Sequence, residues 1–101
     1  MPYECISIDG AKALIAAEDV TIIDIRDPDS FAAGHIEAAL PAAELDMEKF
    51  FAETDKDKPL LLYCYHGFSS QSAAQYLASN GFTRVYSMDG GYTAWESTAA
   101  A

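Results

Sequence analysis

The sequence predicts a three-layer α/β domain with a mostly parallel sheet. Two observations support this prediction: short β-rich runs alternate with helical patterns, and a chain of 101 residues has room for one hydrophobic core. The sequence shows no internal repeat and no linker. Residues 1–97 are therefore expected to form a single domain, followed by a frayed Ala-rich tail over 98–101.

The first elements of the chain are predicted from local composition. A strand is expected over 5–8, and Asp9 is placed to cap the helix that follows it. The run VTIIDI, residues 20–25, has the β-branched content of a buried strand. Pro28 then favours the first turn of a short helix that continues through Ala33.

The remaining elements follow the same alternation. They are predicted as a short strand within 36–40, a helix over about 44–53, a strand over 60–63, a helix over 70–79, a strand over 84–87 and a helical piece over 92–95. The run LLLY at 60–63 is the clearest central strand. Asn80 and Gly81 are typical of a helix end.

Composition and charge narrow the classes of function. Six Lys and Arg against sixteen Asp and Glu give a net charge of −10, which disfavours nucleic acid and anionic membranes as partners. The N-terminus carries no secretory signal, and polar residues interrupt the uncharged run between Lys58 and Arg84, so we expect no membrane span, a cytoplasmic location and reduced thiols. Two cysteines and two histidines without paired ligand spacing predict no metal site.

Cys64 is the candidate reactive group. It lies directly after the strand predicted at 60–63, and ligand sites in parallel sheets lie beyond such strand ends. If a loop follows and Ser70 begins a helix, backbone N–H groups can converge on the sulfur and favour a thiolate, with Gly67 allowing a tight turn. A buried structural cysteine is the alternative, and that alternative is preferred for Cys5 in the first strand.

Three motifs resemble those of the rhodaneses, the thiosulfate sulfurtransferase family. The loop CYHGFSS, residues 64–70, is similar to the family's active-site loop. DIRDP at 24–28 with GHI at 34–36 resembles the segment before its central helix, and MDGG at 88–91 with Trp95 resembles its C-terminal motif. The resemblance covers nearly the whole chain and is greatest to small, single-domain bacterial members. It implies a parallel sheet of five strands flanked by helices.

The resemblance also implies a reaction and the residues that carry it out. The Cys64 thiolate would attack the outer sulfur of thiosulfate, release sulfite and keep a persulfide. That sulfur would pass to cyanide or to a thiol acceptor such as thioredoxin, with no cofactor. The substrate-binding loop would act mostly through backbone N–H groups and consists of Tyr65, His66, Gly67, Phe68, Ser69 and Ser70.

Side chains around this loop are given supporting or open roles. Asp24 and Arg26 are expected to form a structural ion pair, and His35 is expected to act as a hydrogen-bonding strut beneath the active loop. His66 either contacts substrate or points to solvent. Phe68 either contacts a protein acceptor or packs within the loop.

Two positions depart from the family pattern. Many rhodaneses have an arginine where this chain has Ser69, so thiosulfate loses a charged partner and is expected to bind weakly. Because the chain is strongly acidic, added salt should improve that binding by screening repulsion. Ala38 and Ala39 stand where the family often has Gly-Ala, which we interpret as a packing variation.

Four other functions compete with sulfur transfer. Cysteine phosphatases of the same fold need Cys, five residues, then Arg, and here position 70 is a serine. A partner-binding rhodanese module typically lacks the cysteine that this chain keeps. A sulfur carrier supplied by a protein persulfide would use the same Cys64 intermediate, so the sequence leaves that alternative open. A serine hydrolase is poorly supported because no nucleophile-elbow glycine pattern surrounds Ser69 or Ser70.

Overall fold

The computed structural model describes residues 3–99, over which strands and helices alternate. The elements are β1 Glu4–Ile6, α1 Ile8–Ala17, β2 Thr21–Asp24, α2 Pro28–Ala33, β3 Leu40–Pro41, a 3-10 turn Ala42–Glu44, α3 Met47–Glu53, β4 Leu60–Tyr63, α4 Ser69–Ser79, β5 Val85–Met88 and α5 Gly91–Ala99. None of the helices described has both the length and the apolar character needed to cross a bilayer.

The five strands form one parallel sheet in the order β1-β5-β4-β2-β3. Strand β4 lies at its centre, where Leu62 is paired with Ile23 of β2 and with Ser87 of β5. Because every strand runs the same way, the carboxyl ends of β2, β4 and β5 meet at one edge of the sheet. The predicted α/β class with a five-stranded parallel sheet is confirmed.

The composition of β4 explains the three layers. All four of its residues are buried, since successive side chains point to opposite faces and both faces are covered. Leu60 and Leu62 belong to the core beneath α3 and α4. Leu61 and Tyr63 belong to the opposite core, against which residues of α1, α2 and α5 pack. An apolar run with no polar alternation is therefore what this central position requires.

Several predicted boundaries differ from the structure for local reasons. Ser7, not Asp9, caps α1, because its hydroxyl accepts the Gly10 N–H at 3.0 Å. The helix expected over 44–53 is divided, because Asp46 accepts the Lys49 N–H at 3.3 Å and begins α3 anew after the 3-10 turn.

The C-terminal helix is longer than expected. The tail predicted over 98–101 is helical at its first two positions, since α5 continues to Ala99. The Thr98 hydroxyl donates to the Trp95 carbonyl at 2.7 Å and accepts from Lys12 Nζ at 2.9 Å. Residues 100 and 101 lie outside the described residues.

The turn before β3 corrects the interpretation of Ala38 as a packing variation. The Ala39 N–H donates to the Ile36 carbonyl at 2.9 Å, and Ala38 within this turn has φ 70°. In that left-handed region a Cβ is disfavoured by roughly 1–2 kcal/mol, whereas glycine adopts it freely. The departure from Gly-Ala is thus a matter of backbone conformation.

We expect Ala38→Gly to stabilise the domain by about 0.5–1 kcal/mol, since relief of the left-handed strain exceeds the entropy glycine adds to the unfolded chain. Urea unfolding measures the effect. Ala52→Gly, at an exposed position inside α3, is the matched control and should destabilise by about 0.5–1 kcal/mol. Equal destabilisation by both substitutions would show that Ala38 is not strained.

Candidate active site

Cys64 lies where β4 ends and the chain turns toward α4. It is 5% exposed, at the base of a small pocket of about 150 Å³. The pocket is lined by Cys64, Tyr65, His66, Phe68 and Ser69. Its volume is well below the roughly 300–1,000 Å³ of a typical organic ligand or cofactor site, so the pocket suits a small inorganic ion better than an organic cofactor.

Backbone and hydroxyl groups converge on the Cys64 sulfur. The Gly67 N–H donates to Sγ at 3.1 Å and the Ser70 N–H at 3.4 Å, while the Ser70 Oγ lies 3.4 Å from the same sulfur. Burial by itself would raise the pKa of the Cys64 thiol. The hydrogen bonds from the Ser70 hydroxyl and from the N–H groups of Ser70, Gly67 and His66 outweigh burial, so the pKa lies below its ordinary value.

The position of the sulfur at the start of α4 adds to this effect. Helix α4 has 11 residues, and its first N–H groups have no partner within the helix. The positive end of the helix dipole therefore faces the thiol and favours its anionic form. Of the amide cradle expected over residues 65–70, the N–H groups of Gly67 and Ser70 donate to the sulfur in the structure.

Two glycines allow the loop to take this shape. Gly67 has φ 93°, and a Cβ there would lie 2.9 Å from the Gly90 nitrogen. Gly91 has φ 60°, and a Cβ there would lie 2.5 Å from the Cys64 carbonyl oxygen. The close approach at Gly91 lets the Tyr92 N–H donate to that same carbonyl at 2.7 Å. The MDGG motif thus fastens α5 to the active loop.

Tyr65 attaches the loop to α2 through its side chain, a role that sequence reasoning missed. Its hydroxyl donates to Asp27 Oδ1 at 2.7 Å and also contacts the Ser30 hydroxyl. Asp27 caps α2 by accepting the Ser30 N–H at 3.1 Å. These hydrogen bonds lower the pKa of Asp27 to about 2, and the hydrogen bond from Tyr65 has the largest effect. A tyrosine directly after the cysteine gives no sign of this partner, which lies 38 residues away.

Asp24 and Arg26 form a buried ion pair next to the site. Arg26 Nη2 lies 2.7 Å from Asp24 Oδ2, and the two side chains are 4% and 0% exposed. The same nitrogen donates to the Gly34 carbonyl at 2.6 Å, and the guanidinium lies 4.2 Å from the centre of the Tyr92 ring. The pair connects the end of β2 to α2 and α5, so both charges are used within the structure.

His35 is not placed as a strut beneath the active loop. It is exposed at the end of α2, where Nδ1 donates to the Phe31 carbonyl at 2.8 Å. Its ring stacks on Phe31 with centroids 3.9 Å apart. These contacts support the end of α2, and the expectation from the sequence is corrected accordingly.

The two residues with open roles both reach solvent. His66 is exposed beside the pocket. Phe68 is 78% exposed, so the alternative that it packs within the loop is wrong.

Cys5 is also exposed, on the edge strand β1, which contradicts the structural role expected for it.

Sequence reasoning also missed Ser87. This serine is buried in β5, and its Oγ lies 2.8 Å from the Ser70 Oγ. A small polar residue inside the otherwise apolar run VYSM was the available signal.

Among residues 3–99, His, Cys, Asp and Glu form no group of three or more that could hold a metal ion.

A family model described as the rhodanese-like domain matches residues 7–98. The chain belongs to the rhodanese-like family. The thiosulfate sulfurtransferase GlpE of Pseudoalteromonas translucida is 49% identical over 96 residues, which are 95% of this chain and 91% of that protein. The protein of the same name from Shewanella oneidensis is 43% identical over 98 residues, 97% of each chain. The predicted likeness to small bacterial rhodaneses is confirmed.

Solved structures of the same fold agree with this membership. A rhodanese-like domain protein from Staphylococcus aureus has a TM-score of 0.77 and 26% identity, covering 91% of this chain and 90% of that one. A protein from Rhodopseudomonas palustris, described as of unknown function and a possible tyrosine phosphatase, has a TM-score of 0.80 and 27% identity. That alignment covers 96% of this chain and 82% of the other.

Proposed function

We propose that this chain is a thiosulfate sulfurtransferase that carries the transferred sulfur as a persulfide on Cys64. The observation that carries the proposal is the Cys64 sulfur, held by two N–H groups and a hydroxyl at the base of a pocket of ion size. The printed name of relatives with up to 49% identity supports the same activity.

The reaction needs one nucleophile and one anion-stabilising cradle. The Cys64 thiolate attacks the outer sulfur of thiosulfate, the S–S bond of thiosulfate breaks, and sulfite leaves with the bonding electrons. The persulfide anion that remains is stabilised by the donors that held the thiolate. Cyanide then attacks the outer sulfur, thiocyanate leaves and the thiolate is restored. No electrons are gained or lost overall, so no redox cofactor is required.

The physiological acceptor is proposed to be a thiol, for example that of a thioredoxin. The exposed rings of Tyr65 and Phe68 border the pocket and can contact a protein that brings such a thiol to Cys64. A protein persulfide could deliver sulfur across the same surface, which keeps the sulfur-carrier alternative open. A reducing compartment such as the cytoplasm would keep the Cys64 thiol free for the cycle.

A phosphatase activity is disfavoured by the charge of the pocket. Among residues 3–99, no lysine or arginine lines it, and the position six residues after Cys64 is Ser70. A phosphate dianion would therefore lack the guanidinium that binds two of its oxygens. Whatever the Rhodopseudomonas palustris protein does, this loop lacks that group.

A paired assay tests the proposed function. Thiocyanate formation from thiosulfate and cyanide is measured beside hydrolysis of p-nitrophenyl phosphate by the same preparation. We expect turnover of thiosulfate and no phosphate release. Phosphate release without thiocyanate would reject the proposal, and inactivity toward both would leave thiosulfate excluded as the donor.

The absence of a lining cation predicts an unusual salt dependence. With a net charge of −10 and no arginine at Ser69, thiosulfate approaches against repulsion. Raising the ionic strength from about 0.01 M to about 0.15 M shortens the screening length from about 30 Å to about 8 Å. We therefore expect KM for thiosulfate to fall about twofold while kcat stays nearly constant. Steady-state assays in KCl measure this effect, and a steep rise in KM would indicate attraction to a basic site instead.

A further inference from the structure

Behind the reactive cysteine, two buried serines continue its hydrogen-bond chain. Ser70 and Ser87 are 0% and 1% exposed, and their Oγ atoms are 2.8 Å apart. The Ser70 Oγ is also 3.4 Å from the Cys64 sulfur. Ser87 lies two residues after Val85 on β5 and so faces the same side of the sheet, beneath the first turn of α4. The Cys64 thiol at the end of β4, the Ser70 hydroxyl of α4 and the Ser87 hydroxyl of β5 thus form one row of hydrogen-bonding groups.

The hydrogen bonds among Cys64, Ser70 and Ser87 can run in two directions, depending on whether the thiol is protonated. Each hydroxyl has one hydrogen to donate. While the thiol is protonated, it donates to the Ser70 Oγ, and the Ser87 Oγ is then the acceptor available to the Ser70 hydrogen. A thiolate can only accept, so the Ser70 hydrogen must turn to the sulfur. Ser70 can then accept a hydrogen bond from Ser87.

We propose that Ser87 is a positioning residue that orients the Ser70 hydroxyl toward the Cys64 sulfur. Among the described residues its hydroxyl forms no hydrogen bond with the sulfur and does not line the pocket, so it acts through Ser70. When Ser87 donates to the Ser70 oxygen, it polarises the Ser70 O–H and strengthens the hydrogen bond to the anion. The proton lost by Cys64 passes to solvent, and only the directions of the two O–H bonds reverse.

This inference rests on the proposed function, since it concerns the thiol which that function uses. It can nevertheless be tested without any sulfur donor. The pH profile of Cys64 alkylation by iodoacetamide is measured in a Cys5→Ser background, because Cys5 is exposed and would also react. If Ser87→Ala shifts the alkylation profile as expected but the protein does not use thiosulfate, the role of Ser87 stands and the proposed function fails.

Ser70 contacts the sulfur directly and Ser87 acts through Ser70, so replacing Ser70 should shift the alkylation profile more than replacing Ser87. Ser70→Ala should raise the pKa of Cys64 by about one unit, and Ser87→Ala by about half a unit, which slows alkylation about threefold below the pKa. In a Ser70→Ala background, Ser87→Ala should have no further effect. Ser87→Thr keeps the hydroxyl and should restore the wild-type profile. Ser72→Ala, exposed on α4, is the control and should leave the profile unchanged.

A wild-type measurement covers the case in which Ser87→Ala does not fold. The Cβ carbon shift of Ser87 should titrate with the same midpoint as that of Cys64, because the Ser87 hydroxyl changes from acceptor to donor. A Ser87 shift that is flat across that range would overturn the proposal. An unchanged alkylation profile in folded Ser87→Ala, or an undiminished Ser87 effect in the Ser70→Ala background, would overturn it equally.

Discussion

Cys64→Ser is expected to reduce thiocyanate formation to the rate without enzyme, a loss of at least about 10³-fold. The donors from Gly67 and Ser70 would remain in place around the new hydroxyl. They favour an anion, but an alcohol ionises far less readily than a thiol and is a poor nucleophile toward sulfur. The domain should still fold, because the exchange conserves shape in the pocket.

Cys5→Ser is the matched control for this loss. Cys5 is exposed on the edge strand β1, so its replacement should leave both activity and stability unchanged. Steady-state thiocyanate assays with thermal unfolding of both variants separate chemistry from folding. Substantial activity in folded Cys64→Ser would mean that another group carries the sulfur.

Asp24→Asn is expected to lower the free energy of unfolding by about 3–5 kcal/mol. The substitution keeps the shape of the side chain but leaves the buried Arg26 guanidinium without an anion. Arg26 cannot discharge by losing its proton, and the acceptors left to it, the new side-chain amide oxygen and the Gly34 carbonyl, are both neutral. A domain of this size has a total stability of about 5–15 kcal/mol, so the loss is a large part of it.

Urea unfolding of two further variants tests the cause of that loss. Glu18→Gln breaks an ion pair with Arg84 that is of similar length but exposed, and should move the unfolding midpoint little. The double variant Asp24→Asn with Arg26→Met removes both charges and should recover part of the stability. If Asp24→Asn and Glu18→Gln lower the free energy of unfolding equally, burial of the ion pair is not the cause of the loss.

The parts of the fold that sequence predicted are those set by nearby residues. The run LLLY is apolar throughout because both faces of β4 are covered, and that pattern is visible without any tertiary information. The cradle around Cys64 was predictable for the same reason, since the strand end, Gly67 and the helix start follow within six residues. A local pattern there determines local geometry.

The rest depends on contacts between distant segments. Ser87 reaches Ser70 only because β5 lies beside β4, and Tyr65 reaches Asp27 only because α2 lies beside the loop. Neither pairing leaves a periodic pattern in the sequence. Alanine itself gives no sign of the left-handed φ at Ala38, and the glycine that the family often has there was interpreted as a difference in packing.

Intact-protein mass spectrometry after brief incubation with thiosulfate, and again after cyanide, tests the persulfide most directly. Wild type should gain the mass of one sulfur atom and lose it to cyanide with release of one equivalent of thiocyanate, and Cys64→Ser should gain nothing. An unchanged wild-type mass, with Cys64 readily alkylated near neutral pH, would contradict thiosulfate as the donor and point to a protein persulfide. An unchanged mass with an unreactive Cys64 would contradict sulfur transfer altogether.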